Sequence, residues 1–318
     1  MDIVRVVYKR PFTLGLLFLV LILLATIPLY VPPYPVISLT SVIMYIVITV
    51  GWAIFSGPTR YISLASAAFF GVGIYVSAIL GQILPLPVLI TFGGLVSFIL
   101  ALFIGLLTLR LKGMYFIIFT FGISELIRHF LLWWETNFMG TVGRWVVAVD
   151  HTTVYYIMLI ISVIALLTTY LIRRSKFGLA LRSIGENEEA ATHIGINVTI
   201  LKTITFAISA FFMGAAGAIM ATRWTYIDPK IAFNPLFSFM PVLMAIFGGV
   251  GQLYGPVLGA ALLAYLEELL ITELPYYYML LFGTILIIVI LFLPSGLAGL
   301  IEKWRKRGSE GQYANTRR

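Results

Sequence analysis

The chain has no cysteine. Disulfides, thiolate nucleophiles and cysteine-held metals are thereby excluded. Its three histidines, His129, His151 and His193, are scattered, so no H-E-x-x-H zinc helix can be drawn. Nucleophile elbows are missing too, and no G-x-x-x-x-G-K-[ST] loop offers ATP a P-loop. Charge is the deepest deficit: Asp, Glu, Lys and Arg make up 11% of the chain, against about 25% in a soluble domain. None lies between Arg10 and Arg60, and none between Arg60 and Arg110. Each gap far exceeds the ~20 apolar residues that cross a ~30 Å hydrocarbon layer. Two crossings are expected in each, with turns at "YVPPYP" (30–35) and "LGQILPLP" (80–87).

What is there is apolar, 61% of all residues. Apolar runs lie at 12–31, 36–55, 61–80, 87–108, 114–133, 153–172 and 203–222, followed by a long block at 231–266 and a last run at 276–293. The first run is too long for a signal peptide and lacks a small-residue cleavage site, so it is read as a retained helix. The long block is cut by "FGGVGQLYGP" (247–256), which marks Gly248, Gly249, Gly251 and Gly255 as a helix break. A weak internal echo marks Gly57 in the same way: "AIFSG" (53–57) resembles "AIFGG" (245–249), and a small-residue helix follows each.

Parity fixes the expected topology. With Arg5, Lys9 and Arg10 in the cytoplasm, Arg60, Arg110, Lys112 and the loop 173–202 fall on the same side. If the long block crosses twice, the basic tail joins them and only Arg144, Arg223 and Lys230 are left in outside loops, as the positive-inside rule favours. The expectation is an all-α polytopic membrane protein of about ten transmembrane helices (eight to ten), some short or Gly-broken. A cytoplasmic N-terminal segment (1–11) precedes the transmembrane domain (12–301), and a basic cytoplasmic tail (302–318) lies against an anionic leaflet.

Three polar or small-residue stretches stand out. "LRSIGENEEAATHIGIN" (181–197) should form one short helix, with Gly185 before an acid-rich first turn at Glu186 to Glu189, His193 in the last turn and Gly195 just past it. Ala190 and Ala191 would leave a smooth patch for a second surface; the plainer reading is a solvated connector. "SELIRHF" places Glu125 and Arg128 on one helix face, either as a polar element of a translocation path or as a structural ion pair near the outer membrane edge. "AISAFFMGAAGAIMA" (207–221) suits close helix packing in lipid.

Glu189-Ala190-Ala191-Thr192-His193-Ile194-Gly195 resembles the EAA loop of ABC importer permeases: Glu-Ala-Ala, three residues, then Gly. The stretches 175–221 and 243–270, with "YISLASAAFFGVGIYVSAIL" (61–80), "LRLKGMYFIIFTFGISELIR" (109–128) and "LPSGLAGL" (293–300), are similar to the branched-chain amino-acid ABC permease family. The chain departs from that family at "MGTVGRW" (139–145), where Thr-Gly-Gly is usual. The resemblance implies a non-catalytic permease subunit in the cell membrane, both termini cytoplasmic, that binds no cofactor itself. ATP and Mg would sit on two partner ATPases. A homologous permease and an extracytoplasmic solute-binding protein would complete the assembly. Arg182, Glu186, Glu188, Glu189, Ala190, Ala191 and Gly195 are then the expected ATPase-coupling residues. The same machine for urea, short amides or another small polar solute stays open, as does an ion-coupled secondary transporter, for which Glu125 is the one clear intramembrane carboxylate. An intramembrane enzyme lacks its catalytic groups.

Overall fold

A computed structural model describes residues 10–292 and 296–299. Most of the expected N-terminal segment 1–11 and the whole basic tail 302–318 lie outside the described residues. The elements in chain order are α1 (Arg10–Tyr30), α2 (Pro33–Thr59), α3 (Ser66–Leu80), α4 (Leu86–Thr108), α5 (Met114–Trp134) and α6 (His151–Arg174). Then come α7 (Lys176–Glu186), α8 (Glu188–His193), α9 (Val198–Ala221), α10 (Pro229–Ala232), α11 (Leu236–Gly248), α12 (Gly255–Glu273) and α13 (Tyr278–Phe292). A π-helical turn at Glu135–Met139 extends α5, and β1 (Arg144–Trp145) pairs antiparallel with β2 (Tyr226–Ile227).

Local chemistry explains the boundaries. Pro33 opens α2 and Pro87 lies in the first turn of α4, where the missing N–H costs nothing. The Asp150 carboxylate accepts from the N–H groups of Thr152 and Thr153 and so caps α6. Seven helical segments among the described residues are long and apolar enough to cross a membrane. With α1, α3 and α13 the total agrees with the expected count of about ten, and the chain is a multi-pass membrane protein.

At the centre stands α9, 83% buried over its most apolar window. The backbone approaches its neighbours through glycine. A Cβ on Gly73 would fall into the Gly214 carbonyl, one on Gly214 into Ser97, and one on Gly217 into the Phe70 carbonyl. The small-residue stretch 207–221 is thus where α9 meets α3 and α4 at near-backbone contact.

Two expectations are corrected and a third holds. The run 61–80 is helical only from Ser66, because Tyr61 to Ala65 form neither helix nor strand. Gly57 does not break α2, which continues through Pro58 and Thr59; the turn comes at Arg60, whose φ is 59°. The long block breaks within 247–256 as expected, at Gly249 (φ 96°), with Gly248 the last residue of α11 and Gly255 the first of α12. Gly251 lies in the connecting loop.

Candidate functional site

The polar stretch 181–197 is two helices and not one. Asn187 takes an extended conformation (φ −155°, ψ 109°), and its carboxamide oxygen accepts from the N–H groups of Glu189 and Ala190, each at 3.0 Å. It ends α7 and caps α8, so Glu186 belongs to the end of the earlier helix and the acidic first turn is Glu188–Glu189. Gly185, expected ahead of the helix, sits inside α7, where a Cβ would strike the Pro58 carbonyl. Gly195 follows α8 at φ 86°, a left-handed turn that glycine makes freely.

The expected coupling residues split by face. Arg182, Glu186, Glu189, Ala190 and Gly195 are exposed. Ala191 is 1% exposed, packed with Leu181, Ile184 and Val198, so it cannot belong to a docking patch. The period of α8 turns it inward when Ala190 faces out. Ile194, 72% exposed, joins the outer face instead.

Glu188 also turns inward. Its Oε1 accepts from Lys202 Nζ at 2.8 Å and its Oε2 from the Tyr61 hydroxyl at 2.6 Å. Lys202, 1% exposed, gives its other two N–H bonds to the Leu109 carbonyl at 3.0 Å and to the Tyr61 oxygen at 3.2 Å, and lies 4.4 Å from the Tyr61 ring centroid. Partial burial works against the Glu188 charge. The bonds from Lys202 and Tyr61 outweigh it and hold its pKa below the ordinary carboxylate value. Beneath lies an aromatic floor: Tyr61 meets Phe116 edge-on at 5.4 Å, and Phe55 meets Phe206 at 5.0 Å. Sequence reasoning missed this cluster. Lys202 had been grouped with loop cations, although it sits at the fifth position of an apolar helix.

Tyr61 leads into the non-helical segment 61–65, part of whose backbone is satisfied by side chains of other helices. Leu64 N–H donates to Thr120 Oγ1 at 3.0 Å, while its carbonyl accepts from Ser238 Oγ at 2.7 Å and Ser124 Oγ at 3.3 Å. Trp52 Nε1 donates to the Ser63 carbonyl at 2.8 Å. Non-helical backbone at this depth is tolerated where protein supplies the missing partners. The two halves of the sequence echo meet close by: Arg173 donates to the carbonyls of Val250 at 3.0 Å and Gly251 at 3.1 Å, beside Gly57. Arg60, Arg173, Arg182 and Glu186 face the same open cleft of about 170 Å³.

At the other end of α5, Glu125 and Arg128 are joined at 2.5 Å, with side chains 24% and 23% exposed. Glu125→Ala leaves the arginine without its partner, while Glu125→Gln still accepts its hydrogen bond. The expected result is a several-fold lower yield of assembled complex for the alanine variant and a smaller loss for glutamine. Quantitative blotting of purified membranes reads both, and equal yields of all three proteins would show a solvated pair. The acid that the sequence did not single out is Glu135, buried at the end of α5; it accepts from Gly143 N–H at 2.9 Å and lies 3.5 Å from Arg144 Nε. It pins the departing stretch 139–145 against the bundle. The run of aromatics before it hid a buried acid at a span end.

The profile of the family described as "Branched-chain amino acid transport system / permease component" matches residues 34–290. Over 294 residues, the chain is 26% identical to the high-affinity branched-chain amino acid transport system permease protein LivM of Salmonella typhimurium, covering 81% of this chain and 68% of that protein. The Escherichia coli LivM protein is 25% identical across 94% of this chain and 79% of its own length. A xylose transport system permease protein, XylH of Haemophilus influenzae, is 31% identical over a shorter stretch, 37% of this chain and 33% of that protein. No solved structure matches.

Proposed function

Since the chain belongs to the family of branched-chain amino acid transport system permease components, we propose that it forms part of the membrane path of an ATP-driven importer for leucine, isoleucine and valine. It acts with a homologous permease, two ATPases and an external binding protein. It has no catalytic step of its own. ATP and Mg²⁺ are held by the partner ATPases. The loop carrying α7 and α8 faces the cytoplasm, as do both chain ends.

One observation carries the coupling role: α8 has two faces with different duties. Glu188 and Ala191 tie it to the bundle, while Glu189, Ala190, His193 and Ile194 stand clear of it. A solvated connector gains nothing from an exposed isoleucine beside a small residue and an acid. A lever needs one face anchored and one free to dock. In this reading ATP-driven closure of the ATPases moves α8, and the bundle follows.

The test is uptake in vesicles reconstituted with the ATPase and binding protein, with pull-down of the ATPase alongside. Glu189→Lys reverses a charge at the dock, and Ala190→Trp blocks close approach. Gly195→Val puts a β-branched residue in a left-handed turn at about 1–2 kcal/mol. Each variant should reach the membrane in normal amount and lose about tenfold or more of uptake, with weaker ATPase retention; one ~1.4 kcal/mol contact already gives that factor. Normal uptake and retention in all three would reduce α8 to a connector.

A further inference from the structure

The buried trio of Glu188, Lys202 and Tyr61 does more than the docking role asks of it. A buried lysine needs a counter-charge, and Glu188 Oε1 supplies one at 2.8 Å. That counter-charge does not depend on Tyr61, whose oxygen only takes one further Lys202 N–H at 3.2 Å. Yet the tyrosine hydroxyl donates to the second carboxylate oxygen at 2.6 Å, the shortest bond of the group. The carboxylate therefore clamps two separate elements, α9 through Lys202 and the non-helical segment 61–65 through Tyr61.

The segment is hinged on one side of that clamp. Arg60 is the only non-glycine residue with positive φ among the described residues, and it separates α2 from Tyr61. On the other side, Leu64 is bonded to Thr120 and Ser124 of α5 and to Ser238 of α11. A displacement of α8 thus has a continuous route: the hydrogen bond from Tyr61 to Glu188, the chain from Tyr61 to Leu64, and the Leu64 hydrogen bonds onto two helices of the bundle.

We propose that Glu188, Lys202 and Tyr61 are positioning residues for transport, the link by which movement of α8 shifts the non-helical segment 61–65 and, with it, α5 and α11. The inference rests on α8 being the ATPase-docking helix. It adds that the stroke enters the membrane through the Tyr61 hydroxyl.

Two variants separate this link from simple charge burial. Tyr61→Phe keeps the ring on Phe116 and the Glu188–Lys202 pair, and removes the hydroxyl with its bonds to Glu188 and Lys202. The double variant Glu188→Leu with Lys202→Met replaces the buried pair by apolar side chains of similar size, an exchange that cores often accept. Both are reconstituted with the ATPase and binding protein. ATPase retention, ATP hydrolysis and solute uptake are measured on each. The expected result is normal membrane yield and normal ATPase retention, with solute carried per ATP hydrolysed reduced about tenfold, the scale of one hydrogen bond to a charged group. Wild-type solute-to-ATP ratios in Tyr61→Phe would overturn the proposal, whatever the double variant does. So would loss of ATPase retention in Tyr61→Phe, which would make the trio part of the dock. Failure of the docking reading itself looks different: Glu189→Lys and Ala190→Trp would then leave ATPase retention untouched.

Discussion

Gly214→Val should all but abolish the folded protein in the membrane. The glycine lies where α9 crosses α3 and α4, and an added Cβ would overlap Ser97 on one helix and approach the Gly93 carbonyl. Gly73, across the contact, has no room either, since its Cβ would enter the Gly214 carbonyl. Overpacking a core side chain costs about 1–3 kcal/mol when neighbours can change rotamer. Here the Gly93 carbonyl is backbone and the Ser97 hydroxyl is tied to the Phe69 carbonyl at 2.9 Å, so neither can step aside, whole helices must part, and α9 is the helix that the others surround. Without a hydrophobic force between helices in lipid, close packing is a main source of association, and separating them forfeits it. Detergent-solubilised yield and size-exclusion profile are the measurements. A more than tenfold lower monodisperse yield is expected, on the ~1.4 kcal/mol per decade scale. Gly283→Ala is the matched control: nothing lies within 4 Å of a Cβ there, and alanine is the better helix former. A Gly214→Val protein with wild-type yield and profile would mean that this crossing is looser than described.

The second large effect is expected at Gly185. Its Cα packs against the end of α2, and a Cβ would strike the Pro58 carbonyl and crowd the Thr59 carbonyl carbon. Gly185→Val forces α7 off that surface while leaving the docking residues of α8 intact. The α7–α8 unit then keeps its partner and loses its seat on the bundle. Insertion should be normal and ATPase retention within about twofold of wild type, while uptake falls by about a hundredfold, a ~2.7 kcal/mol effect on the coupled step. Uptake at wild-type level would show that α7 has slack against α2. Loss of ATPase retention would show that the seat, and not only the outer face, shapes the dock.

Much of this fold could be read from the order of the residues. Charge gaps bracketed the spans to within a few residues, because a charge in hydrocarbon is costly whatever its neighbours are. The Gly-rich cut in the long block was legible for a similar reason: glycine and proline act locally. The non-helical stretch at Tyr61–Ala65 was not. "YISLASAAFF" has the hydropathy of a helix, and what holds its first residues open are hydroxyls at positions 120, 124 and 238, which no local pattern connects. Asn187 was in plain view, but a capping asparagine between two acid-bearing turns reads equally well as an interior helix residue until its backbone is known. The candidate site divided along the same line. Glu189 and Ala190 fit a motif and an exposed face. Glu188 and Lys202 depend on a meeting fourteen residues apart and with Tyr61, so their inward turn had to wait for the structure.

A helix carries its hydrogen bonds along when it moves, but the stretch from Tyr61 to Ala65 leaves them behind on its neighbours. The Leu64 amide and carbonyl are held by side chains of α5 and α11, and the Ser63 carbonyl by the indole of Trp52 on α2. Any slide among those three helices must break these bonds, pass them to water, or drag the segment along. The Leu64 amide is therefore a built-in gauge of helix displacement. Its hydrogen–deuterium exchange should be slow while the bundle rests and fast while it turns over, so one backbone proton reports on the working cycle of the whole membrane domain.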